Sequence, residues 1–231
     1  MPWLSKTETT VFCLSMEHKI TALTLQKRNP QRVNVYLDGE FAFGLARIVA
    51  AYLGVDQVLD DEKIRQLRND DQYEVAYQRA IKFIDYRPRS ESEVRKNLHD
   101  HVISDEIIER VVDRLKQLNL INDARFAQIW IENRNTFRPR SRRALNAELR
   151  QRGIDAQTID ESLEDLDEDT LAYQAAQKQR RKYESLEREL FQQKMIQFLG
   201  RRGFSYDISR LTTDKLWDEI SSDESSENGE E

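Results

Sequence analysis

The sequence predicts a mainly α fold, with tandem three-helix repeats in an elongated curved array preceded by a small antiparallel β-meander. Three observations support this fold class. Apolar residues alternate with a period of two before residue 54 and recur at helical spacing after it. Between Gly54 and Gly153 the chain contains no glycine, so little interrupts the helices. The pattern of one helical stretch also recurs 51 residues later, as expected of a repeat architecture.

The first seventy residues contain the predicted sheet. Residues 1–15 are expected to be a flexible leader, and residues 16–70 to form the meander plus a helix. Asn29-Pro30 predicts the first turn, and Asp38-Gly39 predicts a tight hairpin because glycine tolerates the positive φ of such turns. Three segments alternate as half-buried strands should: Leu23 and Leu25; Val33, Val35 and Leu37; Phe41, Phe43 and Leu45.

Helices are expected from residue 48 onward. A short helix over Ile48–Leu53 closes at Gly54, and Asp60 or Asp61 can cap a helix containing Ile64 and Leu67. The first repeat then spans residues 71–120. Its first helix has an apolar stripe and stops at Arg87-Pro88, and Ser90 and Glu93 match a capping box that opens the second. Ser104 is expected to cap the third helix. The stripes comprise Ala76, Ala80, Phe83 and Ile84; Val94 and Leu98; and Ile107, Ile108, Val111, Val112, Leu115 and Leu118.

The second repeat, residues 121–167, matches the first at the 51-residue offset. Arg87-Pro88-Arg89-Ser90 recurs as Arg138-Pro139-Arg140-Ser141. A third repeat, residues 168–217, matches more weakly at an offset of 50. The coinciding positions are Val94 with Leu145, Leu98 with Leu149, Ile108 with Ile159 and Val112 with Leu163; in the third copy, Met195, Leu199, Gly203 and Phe204 match Leu145, Leu149, Gly153 and Ile154.

Charge is segregated along the chain. The net charge is −6, but residues 218–231 contain seven acids and no Lys or Arg, so the rest of the chain sums to +1. This Ser- and Glu-rich segment is expected to be a disordered acidic tail, because it offers almost nothing to bury. Two roles stay open for it: a solubilising segment, which we favour, or a mobile counter-charge that competes for the arginines. The lack of a long apolar run and the single Cys13 favour a cytoplasmic protein without a membrane span.

A search for catalytic or metal-binding groups yields little. His99 and His101 fall on different faces of a helix, and Cys13 has no basic neighbour arranged to activate it. Gly153 and Gly203 are interpreted as helix C-caps rather than phosphate loops. We therefore expect no catalytic residue, metal or cofactor, and predict that the protein is not an enzyme.

The candidate binding residues are arginines of the second and third repeats. Seven Arg and one acid, Glu148, occur from Arg134 to Arg152. Arginine at a helix N-terminus opposes the macrodipole, and its planar fork suits phosphate or carboxylate, so a partner is expected. The alternative is a solvated face balanced by acids. Trp130 is interpreted as a packed anchor in preference to a base-stacking platform. The candidates are Arg138, Arg140, Arg142, Arg143, Arg150, Arg152, Arg201 and Arg202, with Lys178, Arg180, Arg181 and Lys182 nearby.

These segments resemble the RecX family, bacterial modulators of the RecA recombinase. The resemblance rests on LNLINDARFAQIWIENR at Leu118–Arg134, RPRSRRALNAELRQRGI from Arg138, and FLGRRGF at residues 198–204. It covers about residues 72–212, is weaker from 18 to 70, and excludes the leader and the tail. The order and spacing of these segments make it specific.

The resemblance implies a compact helical array that lies in the groove of the RecA–single-stranded DNA filament. There it implies inhibition of filament growth, ATP hydrolysis and strand exchange, in recombination, DNA repair and the SOS response. The partners would be the RecA filament and single-stranded DNA, contacted directly or through RecA, and the protein is expected to be a monomer. Two alternatives stay open: a stand-alone nucleic-acid-binding module, and a protein adaptor for an acidic partner.

Overall fold

The computed structural model describes residues 17–227, with side-chain surroundings up to residue 222; the predicted leader and Cys13 lie outside this range. The predicted mainly α class with a preceding antiparallel sheet is confirmed, since 64% of the described residues are helical and a four-stranded antiparallel sheet precedes the three-helix domains. The elements are β1 (Glu17–Gln26), β2 (Asn29–Leu37), β3 (Glu40–Ala46), α1 (Arg47–Ala50), β4 (Val58–Asp60), α2 (Asp61–Asp85), α3 (Glu91–His99), α4 (Asp105–Gln117), α5 (Asp123–Phe137), α6 (Arg142–Gln151), α7 (Ala156–Leu163), α8 (Glu168–Tyr183), α9 (Arg188–Arg201) and α10 (Tyr206–Glu227).

Residue contacts divide the chain into two compact units. One contains residues up to Lys82 together with Leu98–Val111, and the other contains Phe83–Asn97 with the chain from Val112 onward. The first unit includes the sheet, whose strand order is β3-β2-β1-β4. Its core comprises Ile20, Val33, Val35, Leu37, Phe43, Leu45, Ala50, Leu59 and Leu67.

The sheet differs from the prediction in which of its side chains are buried. Leu25 and Phe41 are 57% and 59% exposed, and the buried residue of β1 is Ile20. The register shift between Val35 and Tyr36 turns Phe41 to the face opposite Phe43, because a bulge moves later side chains to the other side of the sheet. Leu25 pairs with the buried Val33 and so lies on the core side, but it is the second-last residue of β1 and stays exposed there. The prediction for Leu25 and Phe41 was therefore wrong.

Turns and short elements complete the N-terminal part. The first turn comprises Lys27-Arg28, not Asn29-Pro30, which begins β2, while the Asp38-Gly39 hairpin is confirmed with φ of 52° and 93°. The short helix α1 ends at Ala50. β4, which pairs with the start of β1, was not predicted.

Helix α2 corrects the expected arrangement around residue 70. Asp60 accepts a hydrogen bond from the Lys63 N–H (2.7 Å) and so caps the helix as predicted. The helix then continues to Asp85, where two helices had been expected. Leu118, predicted to lie on the apolar stripe of α4, falls after its end and is 53% exposed.

The second unit contains the second and third repeats in full, and their predicted cores are confirmed. Gly153 and Gly203 end α6 and α9 with φ of 78° and 95°. The Ile154 N–H bonds back to the Leu149 carbonyl, completing a Schellman cap. The buried residues include Phe126, Ala127, Ile131, Leu145, Leu149, Ile154, Ile159 and Leu163 in one cluster, and Leu171, Ala172, Ala175, Ala176, Phe191, Met195, Leu199, Phe204, Leu216 and Ile220 in another.

The predicted acidic tail begins too early. Helix α10 continues to Glu227, and Ile220 is 3% exposed. The Tyr173 hydroxyl donates to Glu219 Oε2 at 2.7 Å. Disorder from residue 218 is therefore wrong for the segment up to Glu227, because this segment buries an apolar side chain; residues 228–231 lie outside the described range.

Candidate partner-binding surface

The two Arg-Pro-Arg-Ser segments position the arginines at helix starts. Ser90 and Ser141 are fully buried, and their hydroxyls accept the N–H of Glu93 (3.2 Å) and Ala144 (3.1 Å). This bond satisfies a backbone donor that the first helical turn cannot. The Ser90 hydroxyl also donates to the Arg152 carbonyl at 2.6 Å, and the Ser141 N–H donates to the Arg202 carbonyl at 3.2 Å. Each serine thus connects its helix to the end of the second helix of the following repeat.

Glu148 neutralises part of the arginine cluster from the middle of α6. Its Oε2 accepts hydrogen bonds from the Trp130 indole N–H (2.8 Å) and from Arg134 Nε (2.7 Å). Arg140 Nε lies 2.9 Å from Oε1 as an ion pair, but that nitrogen makes no hydrogen bond within the described residues. The Glu148 side chain is 17% exposed, so its charge is weakly screened.

Trp130 is a packed anchor. The guanidinium groups of Arg134 and Arg152 lie 4.6 and 4.7 Å from its ring centroid. The Phe126 ring stacks at 5.9 Å. Because cations and a neighbouring ring already contact the indole, it is unsuited to stacking on a base, in line with the anchor interpretation.

Glu93 plays the same neutralising part in the first repeat. Arg87 donates to both of its carboxylate oxygens (2.9 and 3.2 Å), and Arg152 Nη1 donates to Oε1 at 2.6 Å. Burial raises the pKa of Glu93, but the hydrogen bonds and charges of Arg87 and Arg152 outweigh it and hold this pKa below its ordinary value. The carboxylate therefore stays ionised between two guanidinium groups, and the predicted capping box is only half formed.

Two further candidate arginines make internal contacts. Arg142 Nη2 donates to the carbonyls of Glu164 and Leu166 at 3.2 Å each and so holds the end of α7. Arg202 Nη1 donates to the Pro139 carbonyl at 3.1 Å, and its guanidinium lies 4.6 Å from the Phe198 ring centroid. Burial, followed by the charges of Arg140 and Arg138, lowers the pKa of Arg202. The Pro139 carbonyl thus offsets only part of the repulsion between Arg202 and the arginines at 138 and 140.

Four candidate arginines are the most accessible of the eight. Arg138, Arg143, Arg150 and Arg201 are exposed. Arg143 and Arg150 are seven residues apart on α6, which places them on the same face of the helix. Within residues 17–222, none of the four makes a side-chain ion pair or hydrogen bond. The eight candidates therefore fall into an exposed set and an internally bonded set.

The basic run before α9 has mixed roles. Lys178 Nζ donates to the Thr136 carbonyl at 2.5 Å, and Arg180 Nε pairs with Glu184 at 3.2 Å. Lys182 Nζ lies 5.6 Å from the Tyr183 ring centroid. Arg181 is exposed. This run therefore adds little free positive charge to the exposed set.

Two exposed aromatics were missed by the sequence reasoning. Tyr86 and Phe137 are 85% and 69% exposed, and each immediately precedes an Arg-Pro-Arg-Ser segment. Extending the 51-residue register one position upstream would have found them. The sequence reasoning also missed that Glu93 and Glu148 each bind two arginines.

No helix within the described residues combines the length and the hydrophobicity needed to cross a bilayer.

Four family models match the chain. Residues 18–60 match the model described as "Regulatory protein RecX N-terminal domain". The models for the first, second and third three-helix domains of RecX match residues 76–115, 122–163 and 167–210. Together they follow the order of the sheet and the three repeats.

Named relatives and solved structures agree with these models. Regulatory protein RecX of Clostridioides difficile (strain 630) is 30% identical over 202 residues, covering 85% of this chain and 95% of the relative. Regulatory protein RecX of Bacillus subtilis (strain 168) is 32% identical over 214 residues, covering 90% and 80%. A crystal structure of a regulatory protein RecX superposes with a TM-score of 0.67 at 29% identity, covering 85% of this chain and 99% of that one. RecX from Lactobacillus salivarius has a TM-score of 0.57 at 24% identity, covering 64% and 97%, and supports the fold alone.

Proposed function

The chain belongs to the RecX family of regulatory proteins, and we propose that it is a non-enzymatic regulator of the RecA recombinase. In this proposal it binds RecA and the RecA–single-stranded DNA filament in the cytoplasm. Binding inhibits ATP hydrolysis, filament growth and strand exchange during recombination and DNA repair.

The exposed set of arginines is the observation that supports this proposal most directly. Arg138, Arg143, Arg150 and Arg201 present guanidinium groups that no acid neutralises within residues 17–222. Exposed cations of this kind attract a polyanion or an acidic groove over roughly a Debye length, about 8–10 Å at physiological salt. A nucleoprotein filament offers both kinds of negative charge. Association should therefore be fast and should weaken as salt rises.

Regulation without chemistry follows from differential binding. A ligand that prefers one filament conformation shifts the population toward it, by no more than its difference in affinity for the two states. Three domains of similar sequence pattern suit a partner whose own subunits repeat. Inhibition of ATP hydrolysis then needs no catalytic group on this chain.

Three of the internally bonded arginines, Arg140, Arg142 and Arg152, have a supporting role in this proposal. Arg142 holds the end of α7, and Arg152 lies between Glu93 and Trp130. Arg140 is paired with Glu148. Replacing any of these would alter the packing as well as the surface charge. A test of binding should therefore leave them in place.

The test is single-stranded-DNA-dependent ATP hydrolysis by RecA, measured with increasing amounts of the protein. Wild type should lower the rate at substoichiometric ratios. Arg143→Glu with Arg150→Glu should weaken this inhibition by about tenfold or more, because two exposed cations become anions on the proposed face. The matched control is Arg65→Glu with Arg125→Glu, which makes the same change in net charge at two exposed positions elsewhere.

The outcomes separate the possible functions. An unchanged ATPase rate and unchanged strand exchange with equimolar wild type would refute the RecA proposal. Equal loss in both double variants would show that the exposed arginines of α6 are not the contact. Tight, sequence-selective binding to duplex DNA without RecA would instead favour a stand-alone DNA-binding module. Recovery of an acidic protein other than RecA in pull-downs would favour an adaptor.

A further inference from the structure

Three sequence positions correspond between the first and the second repeat. In the first repeat their side chains form a hydrogen-bonded cluster of two arginines and one glutamate. Arg87, Glu93 and Arg152 meet there, with the carboxylate accepting from both guanidinium groups at 2.6–3.2 Å. Glu93 is the third residue after the capping Ser90. Arg152 comes from the end of the second helix of the next repeat.

The second repeat has an arginine at two of these three sequence positions. Arg138 corresponds to Arg87, and Arg202 corresponds to Arg152. The backbone bonds agree, since the N–H groups of Arg152 and Arg202 donate to the carbonyls of Leu149 (3.0 Å) and Leu199 (2.9 Å). The residue that corresponds to Glu93, however, is Ala144, whose N–H is capped in the same way.

The second cluster therefore lacks the carboxylate that lies between the two guanidinium groups of the first. Arg202 finds a carbonyl oxygen, that of Pro139, in place of a carboxylate. Burial and the nearby charges of Arg140 and Arg138 lower the pKa of Arg202, which indicates that the guanidinium groups repel one another. An anion placed between Arg138 and Arg202 would relieve this repulsion, as the Glu93 carboxylate does in the first repeat.

An aromatic ring lies next to this cluster in the sequence. Phe137 directly precedes Arg138, and its side chain is 69% exposed. An exposed ring beside phosphate-binding cations is the combination that single-stranded nucleic acids use, because bases stack on rings while the backbone binds cations. An acidic peptide contacts such a ring only where an apolar side chain follows the acid, whereas every nucleotide of a single strand carries a base. This favours a nucleotide chain over acidic protein as the occupant.

We propose that Arg138 and Arg202 bind a phosphate of single-stranded nucleic acid in the position equivalent to the Glu93 carboxylate, with Phe137 stacking on an adjacent base. The inference rests on the proposed function and assigns one contact within it. The first repeat is not a second such site, because Glu93 already accepts hydrogen bonds from both Arg87 and Arg152. This holds even though Tyr86, the counterpart of Phe137, is exposed.

The sharpest test supplies the missing carboxylate without removing an arginine. In Ala144→Glu the new side chain lies in the first turn of α6, where the helix dipole favours an acid and where the first repeat already has Glu93. The readout is fluorescence anisotropy of labelled oligothymidylate with the full-length protein and no RecA. Binding should weaken about tenfold, and the slope of log affinity against log salt should fall by about 1. Thermal stability should be unchanged or higher.

Matched variants control for the shape and position of the change. Ala144→Gln adds the same bulk without charge and should keep most of the affinity. Phe137→Ala should weaken oligothymidylate binding at least about fivefold, the lower end of what one stacked base contributes. Tyr86→Ala, the equivalent change in the first repeat, should leave binding nearly unchanged.

The possible results distinguish this inference from the proposed function. Wild-type affinity in Ala144→Glu, equal losses in Phe137→Ala and Tyr86→Ala, or no oligothymidylate binding by wild type would each overturn the phosphate site. Polyglutamate that displaces oligothymidylate and binds Phe137→Ala as well as wild type would overturn it in favour of acidic protein. Any of these results combined with normal inhibition of RecA ATPase leaves the regulator proposal intact. Loss of binding in Ala144→Glu combined with no wild-type effect on RecA supports the site and refutes the regulator.

Discussion

Replacing Gly153 by alanine should destabilise the second unit by about 3 kcal/mol. Gly153 ends α6 with a φ of 78°, a conformation that costs an ordinary L-residue about 1–2 kcal/mol. A Cβ at this position would lie 2.3 Å from the Cβ of Ser92. Neither carbon is at the end of a flexible side chain, so the helices must shift, at about 1–3 kcal/mol for overpacking. The lower conformational entropy of the unfolded variant offsets about 0.4–1 kcal/mol of this loss of stability.

The measurement is urea unfolding followed by tryptophan fluorescence. Trp130 and Trp217 both belong to the second unit, and replacing Trp3 by Phe leaves only these two of the three tryptophans of the chain. Gly200→Ala is the internal control, because a Cβ there meets nothing within 4 Å and the residue lies in the last turn of α9. That variant should be neutral or more stable by about 0.5–1 kcal/mol.

A double variant isolates the steric part of the effect. Ser92→Gly removes the carbon that a Cβ on residue 153 would meet, so Gly153→Ala should cost less in that background. The expected coupling free energy is about 1–2 kcal/mol. If Gly153→Ala lies within about 0.5 kcal/mol of wild type, or if the coupling is zero, the close approach at this cap is not a determinant of stability.

Three further changes test other contacts by the same unfolding assay. Glu148→Gln should cost about 2 kcal/mol, because two guanidinium groups lose their carboxylate; a loss below about 0.5 kcal/mol would contradict this. Glu93 has a lowered pKa, so its ion pairs stabilise the fold above its ordinary pKa of 4.5 and are lost as pH falls through the lower folded value. The stability gap between wild type and Glu93→Gln should therefore be constant above 4.5 and shrink below it, whereas a gap that widens on acidification would reverse the assigned sign. Ending the chain after Trp217 should destabilise the unit by about 2–3 kcal/mol, because Ile220 is lost from the core; ending it after Ser222 should not, and equal effects would show that the start of the acidic segment is not packed.

The helical repeats were predictable from sequence because their information is local. Leu145 and Leu149 lie four residues apart, and such spacing places both side chains on one face whatever the helix packs against. The two cap glycines were predictable for the same reason, since a left-handed residue at a helix end favours glycine. Spacing of 50 or 51 residues then relates one repeat to the next.

The sheet and the sorting of the arginines were not predictable from local pattern. β4 is three residues long and pairs with β1, so its existence depends on a strand about forty residues away. The bulge in the pairing of β2 with β3 turns Phe41 away from the face of Phe43, although their spacing predicted that both are buried. Likewise, Glu148 belongs to α6 but binds Trp130 and Arg134 of α5. Only the packed helices reveal which arginines it neutralises.

The two buried serines imply that the repeats cannot be exchanged as independent cassettes. Each serine caps the N-terminus of a helix in its own repeat. It is also hydrogen-bonded to a residue more than sixty positions later, in the following repeat. A chimaera joined at the boundary between two three-helix domains would separate these partners and leave a polar group buried without its bond. The transferable segment should instead begin at an Arg-Pro-Arg-Ser motif and end at the glycine that terminates the second helix of the following repeat, as from Arg87 to Gly153. Duplication, domain grafting and design of longer arrays from this chain should use that overlapping segment as the building block.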